Sequence, residues 1–335
     1  MNVANHENPD NPHPAPLRPI AVLTGPTGAG KSEFALRLVR EWAPECQVEI
    51  VSVDSAQVYR GLDIGSAKPD ADTVARVPHH LLDLVDAAES YSAGQFVRDA
   101  ACAIADIEAR GKVPLLVGGT MLYLRALMGG IAALPGASED IRVRIDAEAG
   151  RMGWPALHAR LATVDAAAAA RIHPNDAQRI QRALEVHEIS GRPISELQTG
   201  TRSSLERKFL VAALIPADRQ RLHEALASRY EQMMAAGLLD EVRRLHGRGD
   251  LTDSHPAIRA VGYRQLWAHL AGAYPLDTAG ERVGAATRQL AKRQMTWLRS
   301  MPNIRVFDPY DAQSFVGVRE SLRDAFLPPL GALPA

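Results

Sequence analysis

A short glycine-rich segment constrains the fold of this 335-residue chain more than any other feature. Residues 25–32 read Gly-Pro-Thr-Gly-Ala-Gly-Lys-Ser and fit the pattern G-x-x-x-x-G-K-[ST]. The apolar run 20–23 precedes this segment, and residues 33–42 follow with the apolar spacing of one helix face. Between a strand and a helix, such a segment surrounds phosphate oxygens with backbone N–H groups. We therefore predict a phosphate-binding P-loop formed by Gly25, Pro26, Thr27, Gly28, Ala29, Gly30, Lys31 and Ser32.

Two side chains of the P-loop indicate its ligand chemistry. Lys31 supplies a full positive charge to phosphate oxygens, and the Ser32 hydroxyl is placed to hold Mg²⁺, which we expect as the cofactor. The two cysteines of the chain lack the spacing of a metal site, and His79 and His80 lack Cys or Asp partners at ligand spacing. We interpret these cysteines and histidines as structural.

Further apolar runs predict the fold class. Strands are expected at 48–53 and 113–117, with a helix between them at 92–111. Strands that alternate with helices indicate α/β architecture, here a P-loop NTPase-like parallel sheet flanked by helices. Few β-branched runs occur between 131 and 205, which predicts a helical insertion, and strand character returns at 208–215.

The predicted domain organisation follows from these changes along the chain. It comprises a disordered tail (1–19), a P-loop core (20–130 and 206–310), the helical insertion (131–205) and a C-terminal tail (311–335). Within the insertion we expect one helix from Asp165 to Arg171, and a second whose N-cap is Asn175. The core should contain further helices at 218–236, 239–247 and 280–299, and a strand at 304–307.

Composition and charge exclude several classes of protein. The net charge is −1, so a nucleic-acid surface would require local clustering of basic residues. The sequence has neither an apolar run long enough to span a bilayer nor the pattern of a secretory signal. We expect a cytoplasmic monomer without membrane contact.

Asp54 is the candidate general base. It follows the strand 48–53, and the carboxyl ends of parallel strands share one edge of a sheet, so Asp54, the P-loop and Thr120 should converge there. Asp54 is alternatively a turn or helix-capping residue before Ser55. The strand 113–117 ends in Gly-Gly-Thr without a carboxylate that could hold a nucleotide-bound Mg²⁺, which argues against nucleotide hydrolysis.

Seven segments, in order between residues 20 and 308, together resemble the bacterial tRNA dimethylallyltransferases, also called tRNA isopentenyltransferases. They are residues 25–32, 52–59, 63–69, 116–123, 173–176, 258–265 and 286–299. The resemblance implies transfer of the dimethylallyl group from dimethylallyl diphosphate to the N6 amine of the adenosine 3′-adjacent to the anticodon in tRNA. It also implies that the P-loop holds the diphosphate and that Asp54 is the base, with Thr120 and Arg229 as further catalytic residues. Eukaryotic relatives add a zinc module that this sequence lacks, so we expect no zinc.

Two regions are candidates for binding the tRNA anticodon stem-loop. Residues 256–306 contain eight Lys or Arg and two acidic residues. On the last predicted helix, Val283, Ala286, Leu290 and Trp297 should form the apolar face, with Arg288, Lys292 and Arg299 opposite. We select Arg259, Arg264, Lys292, Arg293 and Arg299 as contacts. The resemblance adds Asp54, Ser55, Ala56, Gln57, Thr120, Arg142, Gln178, Arg179, Ile180, Gln181 and Arg182.

Two other functions stay open at the level of sequence. A P-loop kinase for a small metabolite would use Asp54 as the base for an acceptor hydroxyl. Such a kinase needs neither the basic C-terminal helix nor the helix rich in Gln and Arg after residue 175. A non-catalytic RNA-binding protein would explain the basic helix but not the P-loop.

Overall fold

A parallel β-sheet forms the framework of the molecule. The computed structural model describes residues 18–130, 132, 134–198 and 205–327, and within them six strands form one sheet. The strands are β1 (Ile20–Thr24), β2 (Val48–Val53), β3 (His79–His80), β4 (Val113–Gly118), β5 (Phe209–Leu214) and β6 (Ile304–Phe307). Their order is β3-β2-β4-β1-β5-β6, and every neighbouring pair is parallel. The predicted fold class is thereby confirmed.

Fourteen helices accompany the sheet in the described residues. They are α1 (Lys31–Trp42), α2 (Ala71–Arg76), α3 (Ala93–Ala109), α4 (Met121–Gly129), α5 (Glu139–Met152), α6 (Trp154–Val164), α7 (Ala166–Ala169), α8 (Ala177–Ser190), α9 (Ile194–Leu197), α10 (Arg219–Ala235), α11 (Leu238–His246), α12 (Tyr263–Leu270), α13 (Leu276–Ser300) and α14 (Ser314–Phe326).

Helices cover both faces of the central strands, which explains why these strands read as apolar runs. All five residues of β1 and all six of β2 are buried. A sheet buried on both faces has no solvent-facing side for alternate polar residues. The core beneath β1 is completed by α1 and α14, where the rings of Trp42 and Phe326 stack with centroids 5.2 Å apart.

The chain divides into two compact units. One unit comprises residues 1–124 and 205–335 and contains the sheet, and the other comprises residues 125–204. The second unit contains α5–α9 around its own core, which includes Ile145, Leu161 and Leu184. The predicted helical insertion is therefore present, and its first boundary lies a few residues earlier than 131 because the division falls within α4.

Several predicted boundaries are wrong. Residues 311–335 are not simply a tail, because α14 buries Phe315, Leu322 and Phe326 in the sheet core. The predicted helix over 165–171 is instead a short one, α7, which begins after Asp165 and ends at Ala169. The N-cap of α8 is Asp176, which accepts a hydrogen bond from the Arg179 backbone, rather than Asn175. The predicted tail over 1–19 lies outside the described residues except for its last two.

The apolar face predicted for α13 is partly wrong. Its buried residues are Ala279, Val283, Ala291, Met295 and Leu298, so Val283 alone of the predicted face is fully buried. Leu290 and Trp297 instead line a cavity. Within the part of the chain that the structure describes, no helix is long and apolar enough to span a membrane.

Candidate active site

Three loops meet at the carboxyl edge of the sheet and line one cavity of about 780 Å³. The P-loop follows β1, Asp54 follows β2, and Gly119 and Thr120 follow β4, and these three strands are neighbours. The cavity is lined by Thr27, Lys31, Ser32, Asp54, Thr120 and Arg229, among others. The structure thus brings together the predicted catalytic residues with the P-loop.

Lys31 lies in this cavity with little compensating negative charge. Its Nζ donates a hydrogen bond to the Pro26 carbonyl at 2.8 Å. Part of the Lys31 side chain is open to the cavity. Burial of the rest, and secondly the positive charge of Arg229, lower the pKa of Lys31 from 10.5 to about 8. The negative charge of Asp54 opposes this shift. Lys31 is therefore a cation whose charged form an added anion would stabilise.

Arg229 enters the cavity from α10. Burial lowers the pKa of its guanidinium, and Asp54 opposes that shift. On sequence alone Arg229 is one charge on an amphipathic helix, so its position beside Lys31 required the resemblance to be found. Two partly buried cations therefore line one cavity together with the P-loop.

Asp54 and Thr120 are held by the backbone of the loop after β2. Asp54 Oδ1 accepts hydrogen bonds from the amides of Ala56 at 2.8 Å and Gln57 at 3.3 Å. Among the residues that the structure describes, Oδ2 has no hydrogen-bond donor, so it is available to a substrate. Thr120 Oγ1 accepts from the Ser55 amide at 3.0 Å, which fixes the loop that bears Asp54.

Gln57 lines the cavity, but its side chain is engaged inside the protein. Its amide nitrogen donates to the carbonyls of Ser66 (3.3 Å) and Ala67 (3.2 Å), and its oxygen accepts from Ser52 Oγ at 2.8 Å. The structure therefore assigns the Gln57 side chain to positioning the loop 63–69. That loop also lines the cavity.

The same loop is anchored by Glu241, which sequence reasoning missed. This carboxylate is 1% exposed and accepts hydrogen bonds from the amides of residues 63, 64 and 65 and from Tyr263 Oη at 2.5 Å. Burial and the neighbouring Glu241 raise the pKa of Tyr263, which therefore acts as a hydrogen-bond donor. A Cβ at Gly65 would lie 2.6 Å from the Tyr263 ring, so this contact requires glycine.

Gln294 on α13 is a second residue that the sequence analysis missed. Its Oε1 accepts a hydrogen bond from the Thr27 amide at 2.9 Å, and its Nε2 donates to the Gly119 carbonyl at 2.7 Å. The available signal was a polar residue four positions after Leu290 and three before Trp297, on a face that otherwise reads as apolar.

The predicted basic contacts in the sheet-containing unit fall into two groups. Arg259 and Arg293 are exposed and line the cavity. Arg264, Lys292 and Arg299 are exposed but are not among the residues that line it.

In the helical unit, the predicted RNA contacts differ in how free they are. Glu185 is fully buried and binds both Arg142 Nε (2.8 Å) and Arg182 Nη1 (2.6 Å). Burial opposes ionisation of Glu185, but these two arginines outweigh it and its pKa is lowered. Gln178 and Arg179 are exposed, whereas Gln181 donates to Asp146 at 2.6 Å.

Ile180 is a correction to the predicted contacts. Its side chain is 0% exposed and belongs to the core of the helical unit. It lies on the apolar side of α8, so it stabilises the helix rather than reaching a nucleic acid.

The residues of the cavity fit a magnesium ion held together with a phosphate ligand. Mg²⁺ prefers oxygen ligands and usually binds proteins through one or two groups plus substrate phosphates and water. The exposed hydroxyl of Ser32 lines the cavity and supplies one such group. Among the described residues, no group of three or more His, Cys, Asp or Glu side chains is arranged to hold a metal ion.

Fold and site together define an α/β protein with a P-loop sequence and a polar cavity at the carboxyl edge of a parallel sheet. The sequence of residues 57–301 matches the model of the family described as IPP transferase. The protein named tRNA dimethylallyltransferase of Thioalkalivibrio sulfidiphilus is 54% identical over 88% of this chain and 92% of its own length. Its namesake from Bordetella petrii is 53% identical over 87% and 92%. The chain belongs to the IPP transferase family.

Solved structures agree with this assignment. The full-length tRNA isopentenylpyrophosphate transferase of Bacillus halodurans superposes with a TM-score of 0.67 at 33% identity, over 92% of this chain and 97% of the other. A eukaryotic dimethylallyltransferase acting on tRNA superposes with a TM-score of 0.75 at 26% identity, over 93% and 80% of the two chains.

Proposed function

We propose that this cavity transfers the dimethylallyl group of dimethylallyl diphosphate to the exocyclic N6 amine of the adenosine 3′-adjacent to the anticodon in tRNA. The product is N6-dimethylallyladenosine. The chain is a transferase by its family, and relatives at about half identity carry the name tRNA dimethylallyltransferase. The observation that carries the proposal is the convergence of the P-loop, Asp54, Thr120 and Arg229 in one cavity.

The P-loop binds the diphosphate of the donor. Its amides and Lys31 recognise adjacent phosphates, and Arg229 adds a second cation. Diphosphate is also the leaving group, so these cations stabilise negative charge as it develops on the departing oxygen. Ser32 would hold Mg²⁺ against the diphosphate, where the ion would neutralise further charge.

Asp54 accepts the proton that the amine loses. The bond between C1 of the dimethylallyl group and the diphosphate oxygen breaks, and diphosphate leaves with the electron pair. A bond forms between C1 and N6 of adenine, and one N6 proton moves to Asp54 Oδ2. An aromatic amine is a weak nucleophile, so a positioned base contributes directly to the rate.

RNA must present this adenine out of its stack, because enzymes that modify a base take it into a pocket. We assign Arg259 and Arg293, which line the cavity, to the phosphates of the extruded nucleotide. We assign Arg264, Lys292 and Arg299 to more distant phosphates of the stem-loop. In the helical unit, Gln178 and Arg179 expose side chains that can hydrogen-bond bases or phosphates.

A prenyl transfer needs no phosphoryl donor, which separates this function from the kinase alternative. Purified enzyme with an anticodon stem-loop RNA, Mg²⁺ and dimethylallyl diphosphate, freed of nucleotide, should form prenylated adenosine, and the variant Lys31→Ala should use the donor poorly. Product formed only when ATP is added, or ATP consumed in proportion to product, would contradict the proposal.

A further inference from the structure

Gln294 connects α13, the helix whose cations we assign to RNA, to the P-loop. Helix α13 presents Leu290, Gln294 and Trp297 to the cavity, while Arg288 and Lys292 are exposed. Gln294 is thus a neutral polar side chain on the cavity face of a helix whose other side carries exposed cations.

Both ends of the Gln294 amide are engaged, each with a different loop of the active site. Oε1 accepts from the Thr27 amide at 2.9 Å, and Nε2 donates to the Gly119 carbonyl at 2.7 Å. The Thr27 amide belongs to the P-loop, and Gly119 directly precedes Thr120. The Gln294 side chain therefore holds the P-loop on one side and the segment of Gly119 on the other. Thr120, the next residue in that segment, holds the loop that bears Asp54.

The crowding around Gly119 shows that this contact is built into the site. A Cβ at Gly119 would lie 2.7 Å from Gln294 Nε2, 2.9 Å from the Gly25 carbonyl oxygen and 3.5 Å from Lys31 Nζ. Only a residue without a side chain lets α13 approach both loops this closely.

The bond to Thr27 also sets the direction of one amide of the P-loop. The Thr27 amide, which donates to Gln294, is directed toward α13 rather than into the loop. This bond joins the P-loop directly to α13.

We propose that Gln294 is a positioning residue that couples the two substrates. RNA bound to the cations of α13 holds the helix, Gln294 holds the P-loop in its diphosphate-binding conformation, and each substrate thereby raises the affinity for the other. Coupling of this kind is reciprocal, so the factor is the same whichever substrate binds first. The inference rests on the proposed placement of the diphosphate at the P-loop.

The test compares Gln294→Met with Gln289→Met. Methionine preserves the length of glutamine without its hydrogen bonds, and Gln289 is an exposed glutamine on the same helix. Inorganic pyrophosphate is titrated by calorimetry into each protein with Mg²⁺, in the absence and presence of an anticodon stem-loop RNA. Thermal unfolding of each variant separates positioning from folding, and Gln294→Ala serves as a second variant at the same position.

The wild type and Gln289→Met should bind pyrophosphate more tightly when RNA is present. Gln294→Met should bind it about tenfold more weakly, because the ligand must then order a loop that Gln294 no longer holds in place, and RNA should no longer improve the affinity. In steady-state assays its donor KM should rise more than its kcat falls.

Three outcomes would overturn the inference. Unchanged affinity would mean that Gln294 is only a packing contact, tighter affinity would mean that it competes with the diphosphate for the Thr27 amide, and equal RNA enhancement in both variants would mean that coupling takes another route. Failure of the wild type to bind pyrophosphate would instead remove the P-loop assignment itself, and with it the inference.

Discussion

The two ends of the parallel sheet differ in how far the charges of their side chains are compensated by opposite charges within the protein. At the amino end, the carboxylate of Glu49 is 2% exposed and lies 2.6 Å from Arg110, Lys112 and His80. The hydrogen bond from Arg110, supported by those from Lys112 and His80 against the effect of burial, lowers the pKa of Glu49 to about 2. At the carboxyl end, Lys31 and Arg229 share the cavity with Asp54, and the pKa of each cation is lowered.

This difference separates a charge network that stabilises the fold from one that binds a ligand. Around Glu49, opposite charges satisfy one another within the protein. Around Lys31, positive charge is left partly uncompensated, which is the charge balance that the proposed diphosphate would complete. Pairs of groups with environments that shift their pKa values in this way are typical of functional sites.

The variant Asp54→Asn tests the carboxyl end most directly and should have the largest effect. Asparagine can still accept the hydrogen bonds of the Ala56 and Gln57 amides but cannot take a proton. Turnover should fall by about 10²- to 10⁴-fold, the usual loss for a general base. Pyrophosphate binding should hold or tighten, because the two cations lose their anionic partner.

Rapid-quench assays at saturating donor and RNA would measure the rate, with filter binding of the RNA as the control. Near wild-type turnover would exclude Asp54 as the base and return it to the role of a turn residue.

The variant Glu49→Ala tests the amino end. Removing Glu49 takes the buried carboxylate from Lys112 and leaves Arg110 with Asp106 as its remaining partner, so the free energy of unfolding should fall by about 2 kcal/mol, less than for a fully buried pair because both cations are partly exposed. The matched control is Glu41→Ala, which removes an exposed pair with Arg37 at 3.9 Å and should cost less than about 1 kcal/mol. Turnover of the folded Glu49→Ala enzyme should match that of the wild type, since the active site lies at the other end.

Acid unfolding gives an independent check of the same network. Because the pKa of Glu49 is lowered to about 2 from 4.5, its contribution to stability is complete above about pH 4.5 and is lost as the pH falls toward 2. Urea titrations of wild type and Glu49→Ala should therefore converge at low pH. A constant difference between them would show that the destabilisation is steric.

The affinity for pyrophosphate should depend on pH through Lys31. In the free enzyme the pKa of Lys31 is lowered to about 8, and a bound anion raises this pKa. The affinity for pyrophosphate is therefore greatest below pH 8 and falls as the pH rises above it. The fall should approach tenfold per pH unit, and Lys31→Arg should remove it because arginine stays charged. A flat profile between pH 8 and 9.5 in the wild type would contradict this role for Lys31.

Exposed cations should have the smallest effect. Replacing Arg288, Lys292 and Arg299 by Ala should flatten the salt dependence of RNA binding, and the log–log slope should fall by about 0.7 to 0.9 for each phosphate that is no longer neutralised. Arg323→Ala on α14, also exposed, serves as the control. A slope equal to that of the wild type would mean that this face of α13 is only solvated.

The convergence of the predicted site residues has a simple origin. The P-loop, Asp54 and Thr120 each follow a buried strand, and parallel topology alone brings strand ends to one edge. Gln294 could not be found in this way, because its partner Thr27 lies 267 positions away and the contact depends on how α13 packs. Gln57 was predicted as an RNA contact, and its bonds to Ser66 and Ala67 could not be foreseen because they depend on the path of a loop.

Helix α14 was not predicted from the sequence for a different reason. Phe315, Val318, Leu322 and Phe326 follow helical spacing, so the local signal was present in the sequence. Strand β6 precedes this segment, but no strand of the sheet follows it within the described residues, so the alternation of strands and helices did not mark it as part of the sheet layer. Its place became visible only through its packing against β1, β5 and α1.

That packing has a consequence for the order in which the newly made protein can fold. Strand β1 is synthesised early, but its neighbour β5 and its covering helix α14 follow about 190 and 300 residues later. The helical unit of residues 125–204 is one continuous segment, so its contacts join residues much closer in sequence than β1 and β5, and it is complete before β5 is made. We therefore expect the helical unit to fold on the growing chain, whereas the core of the sheet can be completed only after α14 has been synthesised.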